Sequence, residues 1–473
     1  MFKELLIKEL ADKIFDKRFL WFTILCMFTL LITESVLLND YKTERNDYNL
    51  RLLTQKEFID KYAHENRIGD MLDIQRPPAK LRLFAAGISS DMEVNTFTNN
   101  SFNVLFPPID FVLIITVIYS LIAILFSHNS FSGESENGTL RLILSNQVSR
   151  VKLTITKFLG GMLSIIISLI ISLAIGVIYI LMDNSISLDS NDLMALGLIF
   201  LLSVFYISIF YLVGMICSAF TGSSSSSVLL SLFIWAVFTL TIPNLSPWVA
   251  SQLYRVPSIN KFEKEVKIIK GIERDDLGRN LCKEVYEKYP DLLNIIKSAK
   301  DEKLLLAKLE NNIGLKNEYV AFQKEIANAW DKANAIQSAK SENISVDFFS
   351  KVDRQIALTK EISCISPVAD FSYAVSDMAG SGIHAEAYFK DIKKNFEVSL
   401  WQFVEARVAK IKKTDVMYDV NKYIDIKDRP EFSFREENVS GRFSATLSYC
   451  IVLLVFNALL YLTLIRQFNR MKV

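Results

Sequence analysis

Six stretches of this chain are apolar, nearly free of charge, and close to the ~20 residues that a helix needs to cross a hydrocarbon layer. They cover residues 19–38, 109–127, 158–182, 193–220, 228–245 and 444–465. Inside such a layer the backbone can bond only to itself, so each stretch is expected to be a helix. The charged blocks between them cannot be embedded. The expected fold class is therefore an all-α membrane protein, with six transmembrane helices and a large, mostly helical extracytoplasmic domain.

The order of segments follows. Residues 1–18 carry Phe2, Leu6, Leu10 and Ile14 every four positions, the pattern of an amphipathic interfacial helix. Span one is 19–38, with Glu34 near its end, where an acid touches a neighbouring helix or substrate, or reaches the interface. An extracytoplasmic segment, 39–108, contains turns at Pro77-Pro78, Gly87 and Pro107-Pro108. Span two, 109–127, is followed by a polar segment, 128–157, and spans three to five lie within 158–245. The chain then leaves the membrane over 246–443 and returns for span six, 444–465, with a tail at 466–473.

Charge sets the expected orientation. Lys13, Lys17 and Arg18 flank span one, and Arg466, Arg470 and Lys472 follow span six. Arg141, Arg150, Lys152 and Lys157 lie in or near the 128–157 segment, while the 183–192 turn has acids and no Lys or Arg. The positive-inside rule puts both termini and 128–157 in the cytosol, and 39–108 and 246–443 outside. In the outer insert, Ile259, Phe262, Val266 and Ile269, and again Leu315, Tyr319, Phe322, Ile326, Ala329, Ala333 and Ile336, recur at helical spacing, with Pro290 between the two sets. Both a long helical hairpin and a compact helical domain fit this pattern. Residues 416–434 alternate over shorter distances, as a strand or two would.

The net charge of +1 gives no footprint for nucleic acid. Of the five cysteines, Cys26, Cys217 and Cys450 lie in apolar runs, and Cys282 and Cys364 lie in the insert, where an oxidising compartment would let them pair. The three histidines and the cysteines show no metal-ligand spacing. No phosphate-binding GxxxxGK[ST], nucleophile elbow or HExxH occurs, and the run Ser223 to Ser227 reads as a polar turn. The chain is expected to be no enzyme, with no catalytic residue, metal or cofactor of its own.

The 128–157 segment is far longer than a simple connection between spans requires. At its centre Glu136-Asn137-Gly138-Thr139-Leu140-Arg141 reads as a loop that turns at Gly138 and enters an amphipathic helix, with Thr139 as a cap and Leu140, Ile143 and Leu144 on one face. Such a helix suits a soluble partner, and it equally suits a connector lying on the surface.

Glu134, Glu136, Gly138-Thr139-Leu140-Arg141, Leu142-Ile143-Leu144, Val148-Ser149-Arg150 and Lys157 together resemble the signature of ABC type-2 transporter permeases. Gln147 stands where that family usually has Pro. Ser366-Pro367 with the following VADFSYAVSDMAGSG, and Pro77-Pro78 with Leu83 to Gly87, resemble a long-insert branch of the same family. The resemblance implies the membrane subunit of an ABC exporter in the inner membrane. It implies two copies of a separate ABC ATPase subunit that bind ATP and Mg, a second permease chain, identical or paralogous, and surrounding lipids. Glu134, Glu136, Gly138, Thr139, Leu140 and Arg141 are then the expected ATPase-coupling residues, and no substrate-binding residue is indicated. The large insert also fits work on an extracytoplasmic partner in place of substrate export. The alternative is a membrane-anchored sensor or assembly scaffold whose outer domain binds a partner without a translocation path.

Overall fold

A computed structural model describes residues 2–63, 74–87, 109–145, 149–183, 185–298, 309, 312–414 and 424–471. These residues are helical with irregular connections, and no strand occurs among them. The strands expected at 416–434 are not seen over 424–434, which is irregular, and 415–423 lies outside the described residues. The chain forms two compact units, one of Met1–Leu245 with Ser363–Val473 and one of Ser246–Ile362.

In the first unit, α1 (Phe2–Ile14) precedes α2 (Lys17–Tyr62), which begins where the Asp16 carboxylate accepts from the Arg18 amide at 2.9 Å. Next come α3 (111–127), α4 (Ser132–Glu136), α5 (Thr139–Ser145), α6 (Arg150–Leu181), α7 (Ser190–Phe220) and α8 (Ser224–Leu253). The side chains of Ser149, Asp189 and Ser223 satisfy the first free amides of α6, α7 and α8. With α14 (Val439–Arg470), six helices among the described residues are long and apolar enough to cross a membrane, which bears out the expected all-α membrane class. Helix α2 does not stop with its apolar run. Beyond Leu38 it continues to Tyr62, where Ile59 and Ala63 join a small separate cluster with Leu400, Val404 and Val408 of α13 (Ile383–Thr414).

Several polar groups of the span bundle bond within it. Tyr206 Oη donates to the Thr116 carbonyl at 3.1 Å, Trp235 Nε1 to Ser120 Oγ at 2.7 Å, and Asn457 Nδ2 to the Phe205 carbonyl at 2.9 Å. Two of the spans carry π turns here, Ile114–Tyr119 in α3 and Val237–Thr241 in α8. Glu34 is buried between α2 and α6, and neither of its oxygens has a hydrogen-bond partner. Gly176 of α6 makes the space for it, since a Cβ there would overlap both carboxyl oxygens.

One helix of the insert belongs with the spans. Helix α12 (Pro367–Met378) starts at Ser366, whose Oγ donates to the Phe238 carbonyl of α8 at 2.6 Å. Phe371 stacks on Tyr206 of α7 with centroids 4.7 Å apart, and Tyr373 meets Tyr449 of α14 at 5.7 Å. Tyr206 lies near the middle of α7 and Phe238 about 21 Å along α8, so the start of α12 shares the mid-depth of the bundle. The other end of α12 is capped by two buried guanidinium groups. Arg76 donates to the Gly380 carbonyl and Arg442 to that of Met378, and they pair with Glu386 and Glu436. Ser381 Oγ donates to the Ala85 carbonyl at 2.7 Å, which brings the Ser366–Ser381 and Pro77–Gly87 stretches together.

The second unit is an antiparallel hairpin. Its first arm is α9 (259–288) and α10 (Pro290–Ser298), and its second is α11 up to Ile362, within Ile313–Ser363. Phe262 stacks on Phe348 at 4.2 Å, Glu273 pairs with Lys340 at 2.6 Å, Gly278 abuts the Trp330 ring, and Lys288 pairs with Glu325 at 2.6 Å. The partners run in opposite directions at constant offset over about 39 Å of helix. This is the hairpin alternative, and Pro290 starts its short helix as Pro at a first helical position does. Cys282 and Cys364 are not joined in a disulfide.

Two outcomes follow from this packing. Gly176→Val overfills the α2–α6 contact, costs about 1–3 kcal/mol and lowers the melting temperature read by size-exclusion after heating. Gly197→Ala, with open space around its Cα, leaves it unchanged. A fragment of residues 246–362 gives a helix-dominated circular dichroism spectrum.

Candidate functional site

The 128–145 stretch is a short helical hairpin that rests on the ends of several spans. Phe131 and Ser132 amides both donate to Ser218 Oγ of α7, at 2.9 and 3.0 Å. The Phe131 ring stacks on Phe468 of α14, with centroids 4.3 Å apart. Arg150, at the start of α6, points its guanidinium at the last carbonyls of α14, with Asn469 at 3.2 Å and Met471 at 3.0 Å. These carbonyls have no partner within the helix, so a cation at that end satisfies both their lone pairs and the helix dipole.

Lys157 is the electrostatic centre of the arrangement. It is 5% exposed on α6, and its Nζ lies 3.0 Å from Glu9 Oε1 of α1 and 2.6 Å from Glu134 Oε1 of α4. One buried ammonium thereby joins the N-terminal helix, the short hairpin and the third span. Lys13 adds a second tie from α1, donating to the Phe126 carbonyl of α3 at 2.7 Å. Sequence reasoning left out Glu9 and this triad. The available signal was Lys157 itself, a cation at the edge of a long apolar run, which calls for a nearby carboxylate.

The six expected coupling residues divide into inward and outward sets. Glu134 is turned inward to Lys157. Glu136 caps the next span, accepting from the Ser224 amide at 3.0 Å and Ser224 Oγ at 2.7 Å. The serine run is thus a helix start that receives the hairpin, and Ser227 Oγ also donates to the His128 carbonyl at 2.7 Å. Gly138 joins α4 to α5 with φ +70°, in the left-handed region that a side chain disfavours. Thr139 does not cap α5, because its Oγ1 donates back to the Glu134 carbonyl at 3.2 Å.

Leu140 is 1% exposed and belongs to the core of the first unit, with Ile143 and Leu144 packed beside it. It is therefore the foot of α5 on the bundle and offers no apolar anchor to a partner. Arg141 is exposed, and Leu142, two residues after the buried Leu140 and on the other face of the helix from it, is 66% exposed. The outward face of α5 thus shows one guanidinium and one isobutyl group. Gln147 and Val148 lie outside the described residues.

This geometry holds the hairpin rigidly to α1, α6, α7, α8 and α14. It contains no nucleophile–base pair, and no group of three or more metal-ligating side chains occurs among the described residues. What the arrangement can do is mechanical, because a push on α5 reaches all of these helices. Lys157→Met removes the charge and leaves two carboxylates facing each other, at a cost of about 3–5 kcal/mol. We expect a strongly reduced yield of monodisperse protein. Adding Glu9→Gln and Glu134→Gln to Lys157→Met restores part of it, and the single and combined changes are compared by thermal melting in detergent.

Residues 4–473 match the model of a family described as ABC-2 family transporter protein. A search of curated proteins returned no match. The match spans the whole helical framework, including the hairpin on its span ends and α12 among the spans. The chain belongs to the ABC-2 transporter family, as a multi-pass membrane subunit that is not itself catalytic.

Proposed function

We propose that this chain is the permease of an ATP-driven exporter in the inner membrane, and that the outward face of the α4–α5 hairpin receives a separate ABC ATPase. The observation that carries the reading is the hairpin, tied through Lys157, Glu136 and Phe131 to several helices, while Arg141 and Leu142 stay exposed. Two ATPase chains bind ATP and Mg and close on each other, and each carries its permease hairpin with it. Because packed helices move as bodies, the hairpin's displacement tilts the spans.

In this reading Glu134 and Glu136 transmit force inward, Gly138 sets the angle of the lever, and Thr139 and Leu140 seat it. Arg141 and Leu142 make the contact, Leu142 taking the anchor role that the sequence suggested for Leu140. Both termini and the hairpin are cytosolic, and 39–108 and the 246–362 hairpin are outside. The exposed apolar faces of α2, α8 and α14, with Phe28, Phe233, Trp248, Leu454 and Leu459 among them, meet lipid and a second permease chain.

The test separates contact from folding. Leu142→Asp and Arg141→Glu keep a normal melting temperature and lose at least fivefold in co-purified ATPase and in permease-dependent ATP hydrolysis. Leu140→Asp instead puts a carboxylate in the core and loses folded permease. Gly138→Val strains the turn by about 1–3 kcal/mol and weakens coupling. If Leu142→Asp with Arg141→Glu assembles and hydrolyses as wild type does, the hairpin is a surface connector. Orientation is checked with single cysteines and an impermeant maleimide on intact cells, which labels position 318 and spares position 142.

A further inference from the structure

Helix α12 carries a buried carboxylate that pairs with no cation among the described residues. Asp370 is 0% exposed, and neither of its oxygens has a hydrogen-bond partner. The Cys364 thiol is a polar neighbour, and the Tyr449 phenol of α14 is within electrostatic reach. One turn along α12, Tyr373 lies against Tyr449 with ring centroids 5.7 Å apart, and its hydroxyl accepts from Ser363 Oγ at 3.3 Å. On the α7 side Phe371 stacks on Tyr206. Asp370 therefore lies on α12 between residues of two aromatic pairs and within electrostatic reach of Tyr449, at the mid-depth of the bundle fixed by the Ser366–Phe238 and Phe371–Tyr206 contacts.

A carboxylate with only a thiol, a weak donor, beside it is expensive in such a place, and native structures retain one where something else compensates it. The cations that cap the far end of α12 are committed elsewhere. Arg442 pairs with Glu436 at 2.7 Å, and Arg76 pairs with Glu386 at 3.7 Å. Asp377, the other acid of α12, accepts from the His384 amide at 3.0 Å. The ligand that matches a carboxylate beside tyrosine rings is an organic cation, with its charge on the acid and its apolar or quaternary surface on the π faces.

We infer that Asp370, with Tyr373 and Tyr449, forms a subsite for an organic monocation, so that the transported molecules carry a positively charged, apolar-substituted group. This rests on the permease reading above and gives it a substrate class. The carboxyl is covered in this structure, so the ligand enters when the partly exposed Tyr373–Tyr449 pair separates.

The probe is tetraphenylphosphonium, a permanent cation that cannot donate a proton, measured by equilibrium dialysis against the full-length purified chain in neutral detergent. Saturable binding is expected, at least tenfold weaker in Asp370→Asn, retained in Asp370→Glu, and weakened in Tyr449→Leu. A second readout needs no variant: the probe slows maleimide labelling of Cys364, followed by peptide mass, by at least threefold in the wild-type chain. Wild-type binding that is unsaturable, or unchanged in a folded Asp370→Asn, overturns the inference, because the carboxyl then serves only as a proton site. Undiminished labelling of Cys364 at saturating probe overturns it as well. Neither assay contains an ATPase, so failure here leaves the coupling test at Arg141 and Leu142 standing, and failure there leaves this one.

Discussion

A polar group held away from water must find its partner inside the protein, and this requirement shapes the first unit from end to end. The backbone meets it by becoming helix. The side chains meet it by crossing between helices, as Tyr206 does to the Thr116 carbonyl and Ser132 to Ser218 Oγ at 3.1 Å. Lys157 meets it with two carboxylates from different helices. Each such bond fixes one helix against another at a particular height, which apolar contacts alone do not do.

The same requirement is met differently in two parts of the first unit. At the hairpin end the buried charges are matched, so α1, α4 and α6 form a stiff joint suited to passing on a force. At mid-depth Asp370 pairs with no cation, and towards the end of α6 Glu34 packs unmatched against Gly176. Matched charges fix neighbouring helices against one another, whereas an unmatched carboxyl carries a desolvation cost that nothing beside it offsets. Outside the bundle, the Lys42–Asp183 pair ties α2 to the turn before α7. Its hydrogen bonds to Lys42 and Ser185 draw the Asp183 carboxyl down to about 2, so the contact persists through neutral and mildly acidic conditions.

Much of the fold was legible beforehand because its signals are local. Span length, the 3-4 spacing of Phe262 to Ile336, and Pro290 between two helical arms depend only on neighbours along the chain. The candidate site was legible in outline for the same reason, since Gly138 followed by an amphipathic turn is a local pattern. The direction of each side chain was not. Leu140 and Leu142 differ only in which face of α5 meets the bundle, and the position of that face is set by Phe131, Ser218 and Lys157 from elsewhere in the chain.

The sequence by itself determined that this chain is a six-span helical membrane protein with a charged segment between spans two and three, because hydrophobic length and periodicity are properties of short segments. Only the tertiary structure decided that Glu9 joins Glu134 on Lys157, and that α12 leaves the insert to pack at the middle of the bundle. Ser366 finds Phe238 across 128 residues of chain, and Lys157 finds Glu9 across 148. Such pairings are chosen by the packing of whole helices, and nothing in the local residue pattern distinguishes them from the alternatives.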